Sequence, residues 1–179
     1  PAIAEMWGGQ SRVRGVPDYF GLEGMAILAV SNPGFRYPYR DVAYECIDDI
    51  LYCILPSGRR LTYHQPRVQP SIKRADQMEL SFMGYNSNPV MGAIGWIRIS
   101  TFGGRLFENV VQAVSRDIMR DATNRLERAG YPIVLRVHDE LVAEVPIGFG
   151  SISEFEALMS LMPAWASGYP VRASGGWMG

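Results

Sequence analysis

The sequence predicts an α+β fold in which antiparallel hairpins accompany one long packing helix, and three observations predict it. Between residues 49 and 100, β-branched, aromatic and aliphatic pieces alternate with turns rich in Pro, Gly and Asn. Residues 105–129 carry Leu106, Val110, Val114, Ile118, Ala122 and Leu126 at intervals of four, close to the period of an amphipathic helix. Directly after that stretch, two apolar runs enclose His138-Asp139 as strands enclose a tight turn.

Taken in order, Ala-Ile-Ala-Glu-Met-Trp at residues 2–7 reads as the end of an amphipathic helix, and Gly8-Gly9 opens a punctuated loop through Pro17. Leu, Ala, Ile and Met over residues 21–30 fit a short helix that stops before Asn32-Pro33-Gly34. Strands over Asp49–Leu55 and Arg59–His64 flank Pro56-Ser57-Gly58 and predict a hairpin. Further strands are expected at Met78–Met83 and Trp96–Ser100, separated by Asn86-Ser87-Asn88-Pro89. The helix that follows Gly103-Gly104 buries one face, supported by Phe107, Val111 and Met119. Its other face carries Arg105, Glu108, Gln112 and Arg116 at three- and four-residue spacing. Gly130 and Pro132 end it. Tyr131–Val137 and Glu140–Val145 then predict a hairpin closed by Pro146, and a last helix is expected over Ser153–Met162.

The composition is that of a globular chain. It has 179 residues, 47% of them hydrophobic and 20% charged, enough for a sizeable core. No run approaches the roughly 18 apolar residues of a spanning helix, and the N-terminus lacks a secretory profile, so a chain that works in solution is expected. A net charge of −1 excludes a globally basic, nucleic-acid-coating protein but leaves room for a local basic groove. Cys46 and Cys53, seven apart in a strand-like stretch, fall on opposite faces and fit neither a zinc clip nor an obvious disulfide. The first residue is Pro1, which suggests a fragment, a processed product or a trimmed piece.

The tip of the last hairpin is the chemically informative place. A turn built only to pack favours Asn-Gly or Asp-Gly, which tolerate positive φ, and His138-Asp139 does so less readily. Something other than turn chemistry favours a His and two carboxylates, Asp139 and Glu140, at this point.

Four stretches, in this order, resemble the family A DNA polymerases, in particular their phage-type branch. They are Leu55-Pro-Ser-Gly-Arg-Arg-Leu61, Met83-Gly-Tyr-Asn86, the segment Thr101–Asp117, and Ala129-Gly-Tyr-Pro-Ile-Val-Leu-Arg-Val-His-Asp-Glu-Leu141. The resemblance implies that residues 1–100 are a distal fingers portion with a hairpin, and that residues 101–179 are a palm portion with the long helix and the catalytic hairpin. It also implies template-directed nucleotidyl transfer by a two-metal mechanism, with two Mg²⁺ ions in the complete enzyme. Asp139 and Glu140 are then the metal-holding and catalytic carboxylates, His138 lies near the primer terminus, and Gln112 touches the minor groove of the primer-template. Arg105 and Arg116 join the DNA-binding set. At Glu108 many relatives carry Asn, a departure at a DNA-facing position. The implied partners are primer-template DNA and deoxynucleoside triphosphates, with no membrane, in the cytoplasm of a bacterial cell or phage-infected host.

The family also uses a second aspartate in an Asp-Tyr-Ser-like strand and a fingers helix with Arg, Lys and Tyr-Gly. Asp18-Tyr19-Phe20 imitates the first in a loop leading into a helix, with Phe20 in place of Ser, and is read as a decoy. Lys73 is the single lysine and lacks the neighbours of the second. The isolated chain is therefore expected to be inactive.

Two other functions compete. A metal-dependent nuclease or phosphatase would use His138, Asp139 and Glu140 with further ligands such as His64 or Glu144, and a non-catalytic DNA-binding module would use none. Gly103-Gly104 could offer amides to a phosphate or simply reverse the chain. Arg59, Arg60, Lys73 and Arg74 are read as solvated, and the tryptophans, Trp96 and Trp165 among them, as core or hinge anchors.

Overall fold

A computed structural model of the chain describes residues 11–13, 16–18, 21–71 and 77–177, and it is an α+β protein of two compact units, residues 1–111 and 112–179. The expected helix at residues 2–7 and the cluster Lys73-Arg74 lie outside the described residues.

The first unit opens with two short antiparallel strands, β1 (Ser11–Val13) and β2 (Val16–Asp18). Part of the loop expected through Pro17 is thus two paired strands, and Asp18 ends a strand, paired with Ser11. Helix α1 (Gly21–Ser31) follows and buries Leu22, Ala26, Ile27 and Ala29. A six-stranded antiparallel meander comes next, in which every strand pairs with its sequence neighbour: β3 (Arg36–Tyr39), β4 (Val42–Ile47), β5 (Ile50–Ile54), β6 (Arg60–Pro70), β7 (Met78–Asn86) and β8 (Gly95–Thr101).

Two of these strands, β3 and β4, were not expected. Asp48-Asp49 forms a two-residue turn between Ile47 and Ile50 with φ of 49° and 59°, the pair of positive angles that a type I′ hairpin requires and that Asp tolerates. The turn splits the apparent single strand around the cysteines into two. It puts Cys46 opposite Leu51 and Cys53 opposite Tyr44, so both thiols point to the same buried face, a correction to the opposite faces expected from their spacing. Both are free and buried. β6 continues past His64 because Gln65, at φ 47°, and Pro66 form a bulge between the pairs His64↔Met83 and Arg67↔Ser81. A proline in mid-sheet is tolerated where a bulge removes the need for its amide.

The inner face of the sheet, with Tyr44, Cys53, Leu51, Tyr63 and Leu80, packs with α1, and Asn109 Nδ2 donates to the Tyr63 hydroxyl at 3.1 Å. The outer face is solvent-facing. Between β7 and β8, Asn86 donates to the carbonyls of Gly92 and Ala93 (3.3 and 3.0 Å), and Asn88 caps a short 3₁₀ turn at Pro89–Met91. This explains the Asn-rich loop: its side chains replace the missing ladder bonds.

Helix α2 (Gly103–Arg128) begins in the first unit and runs into the second. Its buried stripe is Leu106, Val110, Ala113, Asp117, Ile118, Met119, Ala122 and Leu126, close to the expected set. Val111 is instead 44% exposed, and Asp117, a carboxylate within the apolar stripe, is only 2% exposed. The second unit adds the hairpin β9 (Ile133–Val137) and β10 (Glu140–Ala143), helix α3 (Ile152–Ser160) and a 3₁₀ turn at Ala164–Ala166. Among the described residues no helix is long and apolar enough to cross a membrane.

Candidate active site on a two-residue hairpin

The position of the hairpin tip is set by how α2 ends. Gly130, at φ 89°, lets the Tyr131 amide reach back to the carbonyl of Leu126 (3.0 Å) and its own amide to that of Glu127 (3.1 Å), a Schellman closure that stops the helix within one residue. Tyr131 is then driven into the core of the second unit, edge-on to Phe149 and Phe155 at ring separations of 5.1 and 5.2 Å. From that anchor β9 leaves, with the Ile133 amide held by Glu127 Oε1 at 2.8 Å.

β9 and β10 pair Val137 with Glu140, Arg136 with Leu141 and Leu135 with Val142, leaving His138-Asp139 as a two-residue loop. A register shift at Val142/Ala143 adds a bulge, which twists the hairpin. His138 takes φ 50°, a conformation that a non-glycine residue adopts at a cost of about 1 kcal/mol or more. Side chains of His138, Asp139 and Glu140 are all exposed. The loop thus holds a strained histidine and presents two carboxylates to solvent on a short ladder rather than on a floppy arm.

The remaining sequence-predicted residues fall as follows. Gln112 and Arg116 lie one turn apart on the exposed side of α2, in the second unit with the hairpin. Arg105 belongs to the first unit, where Nη1 donates to the Ser100 carbonyl (3.4 Å) and the guanidinium lies 6.0 Å from the Phe102 ring centre. Gly103-Gly104 makes the chain reversal: the Gly103 amide is already taken by Glu23 Oε2 at 3.1 Å. That carboxylate occupies the helix N-terminus where a phosphate would otherwise sit. The side chain of Asp18 lies outside the described ones. Trp96 is 63% exposed rather than a core anchor, whereas Trp165 donates Nε1–H to Asp121 Oδ2 at 3.3 Å inside the second unit.

As a cation site the tip offers hard oxygen donors of the kind Mg²⁺ prefers. Among the described residues no group of three or more His, Cys, Asp or Glu comes together to hold a metal ion. Asp139 and Glu140 therefore fit part of a divalent-metal site and not a closed one. Among the described residues of the second unit, Glu144 does not complete such a group with the hairpin tip.

No family model matches the chain, and no solved structure matches it. The chain is 34% identical over 178 residues to a DNA polymerase of Bacillus phage SP02, a match that covers 98% of this chain and 26% of that protein. The chain thus spans about a quarter of the length of the curated relative it matches. From end to end, the sequence is similar to one part of a phage DNA polymerase.

Proposed function

We propose that these residues are the palm and distal fingers part of a family A DNA-directed DNA polymerase, with Asp139 as one of the two aspartates of the nucleotidyl-transfer site. The observation that carries this reading is Asp139 itself. It stands at the exposed tip of a two-residue hairpin launched directly from the end of α2, in a chain similar along its whole length to part of a phage DNA polymerase. Residues 1–100 take the fingers role and 101–179 the palm role.

In this reading Asp139 and Glu140 would hold Mg²⁺ together with a carboxylate from outside the described cluster. When bound, two such ions supply activation of the primer hydroxyl and stabilisation of the pyrophosphate leaving group. The chain's own residues position the substrates. His138 sits next to the carboxylates at the primer terminus. Gln112 donates to minor-groove acceptors that all base pairs share, so contact does not depend on sequence. Arg116, one turn on, and Arg105 neutralise phosphates.

The exposed faces of Val134, Leu135 and Val137 on β9, 57%, 53% and 44% accessible, support a hairpin that packs against further polymerase elements. The 179 residues alone hold one of the two required aspartates and do not extend primers. The test is the reading frame upstream of Pro1. An Asp-Tyr-Ser-like strand followed by an Arg/Lys/Tyr-Gly helix is expected there, and a frame that starts at or near Pro1 would overturn the proposal.

A further inference from the structure

The outer face of the six-stranded sheet is unused by the mechanism above. The pairing register places Ile50, His64, Met83 and Arg98 in one row across four strands of that face, with Tyr85 opposite Trp96 beside it. Trp96 is 63% exposed and Tyr85 61%, although large aromatic rings are normally covered. They are arranged rather than scattered. Trp96 stands edge-on between His64, at 6.4 Å and 87°, and Tyr85, at 6.3 Å and 81°.

Beside them lies a cleft of about 500 Å³, lined by Asp48, Asp49, His64, Gln65, Met83 and Trp96. Its walls are fixed by strained backbone. Asp48, Asp49 and Gln65 all have positive φ, and the Gln65 amide donates to the Asp49 carbonyl at 2.9 Å. Arg98 Nη1 donates to the Gln65 carbonyl (3.0 Å) and to Ser81 Oγ (3.4 Å), locking the bulge to β7 and β8. The same register puts Arg60, stacked 5.3 Å from the centre of the Tyr52 ring, and Arg67 on this face with Arg98.

We infer that this face binds single-stranded DNA, with an unpaired base seated in the cleft against Trp96 and His64 and the backbone phosphates running along Arg60, Arg67 and Arg98. The inference rests on the polymerase reading for the choice of DNA. Exposed aromatic rings with interleaved guanidiniums on a sheet are the means by which sheet proteins hold unpaired strands: each base has a π-face, and the charges meet phosphates. The carboxylates of Asp48 and Asp49 repel a phosphate at the cleft mouth and accept from the amino groups of a base, so the base rather than the backbone enters. Neutral sugars also stack on tryptophan, but Arg60, Arg67 and Arg98 share the face with the aromatic row, while its carboxylates Glu45 and Glu79 are engaged by Arg36 (3.2 Å) and by the Ser71 hydroxyl (3.3 Å), which favours a ligand that carries phosphates.

The test uses the whole chain and fluorescence anisotropy with three labelled probes of about 12 nucleotides, within the site size of single-strand binders. They are oligo-dT, an abasic strand with the same phosphates, and a duplex. Oligo-dT is expected to bind at least about tenfold more tightly than the abasic strand, Trp96→Ala to weaken oligo-dT about tenfold, and Trp96→Phe to restore most of it. Duplex affinity and the circular dichroism spectrum should stay as in the unaltered chain. Equal binding of oligo-dT and the abasic strand, or unchanged oligo-dT affinity in Trp96→Ala, overturns the inference. If that happens while duplex binding persists and falls in Gln112→Ala, the polymerase reading stands and the sheet-face site alone fails. Binding of none of the probes would count against both.

Discussion

The hydroxyl of Tyr131 sits inside the capping box of helix α3: it accepts from the Ser151 amide at 3.2 Å and donates to Glu154 Oε2 at 2.6 Å. Ser151 is the N-cap and its Oγ takes the Glu154 amide at 3.1 Å. In an ordinary capping box the glutamate would reach back to the N-cap amide directly. Here the tyrosine is the relay between them, and the residue two before strand β9 is tied to the next helix. The hydrogen bond to Glu154 is the first cause of a raised Tyr131 pKa, with burial next.

Tyr131→Phe is therefore expected to keep the ring packing and lose both hydrogen bonds. The cost should be about 1–2 kcal/mol in urea unfolding, since the Ser151 amide and the Glu154 carboxylate lose their shared partner. An unchanged midpoint would show that the relay contributes nothing.

Gly150→Ala should be more damaging. A Cβ there would collide with the Tyr131 hydroxyl, and the backbone at φ 62° already disfavours any side chain. Overpacking and the left-handed conformation together predict a loss of about 2–4 kcal/mol. A thermal melt of the variant beside Tyr131→Phe checks it. Combining the two substitutions should recover only part of the loss, because the clashing oxygen is gone while the ring carbons Cζ and Cε1, at 2.7 and 2.9 Å from the added Cβ, remain.

The buried thiols should be slow to react. Burial pushes the Cys53 thiol up to about 11, and burial followed by the nearby Asp49 charge raises that of Cys46. The thiolate is the reactive form. At pH 8, labelling by a disulfide reagent should be at least about tenfold slower than for a free cysteine and should speed up on denaturation. Rapid stoichiometric labelling of the folded chain would contradict this packing.

The same burial predicts alkaline sensitivity. Cys53 is raised from 9.0 to about 11 and Tyr63 from 10.0 to about 12, the latter by burial against the opposing Asn109 hydrogen bond. Both groups stay protonated longer in the folded chain, so between roughly pH 9 and 12 the folded state binds more protons than the unfolded one. Stability should be full below about pH 9 and fall as pH rises towards these folded values. A urea midpoint that stays flat from pH 8 to 11 would refute it.

How much of this was legible in the sequence depends on whether the signal was local. The α2 period, the Gly130 stop and the hairpin around His138-Asp139 were readable because apolar spacing and turn chemistry are written within a few residues. The turn at Asp48-Asp49 was not, since Asp-Asp is a weak I′ signal without the usual glycine; missing it merged two strands and reversed the facing of Cys46 and Cys53. Pro66 hid the second half of β6, because only the bulge at Gln65 makes a mid-sheet proline acceptable. Trp96 was read as a core or hinge anchor on residue type alone, and its exposure follows from sheet register, which no local pattern reports. The candidate-site residues were named from sequence, whereas the strained φ of His138 and the incomplete donor set needed coordinates.

The most direct measurement of the central claim is primer extension, with Mg²⁺, by the polymerase translated from the reading frame that carries these residues. Asp139→Asn should lower the extension rate by about 10³-fold or more, while primer-template affinity stays within about twofold and Asp18→Asn extends normally. Extension at the unaltered rate by Asp139→Asn, or its loss in Asp18→Asn instead, would contradict the assignment of the hairpin tip as the catalytic carboxylate.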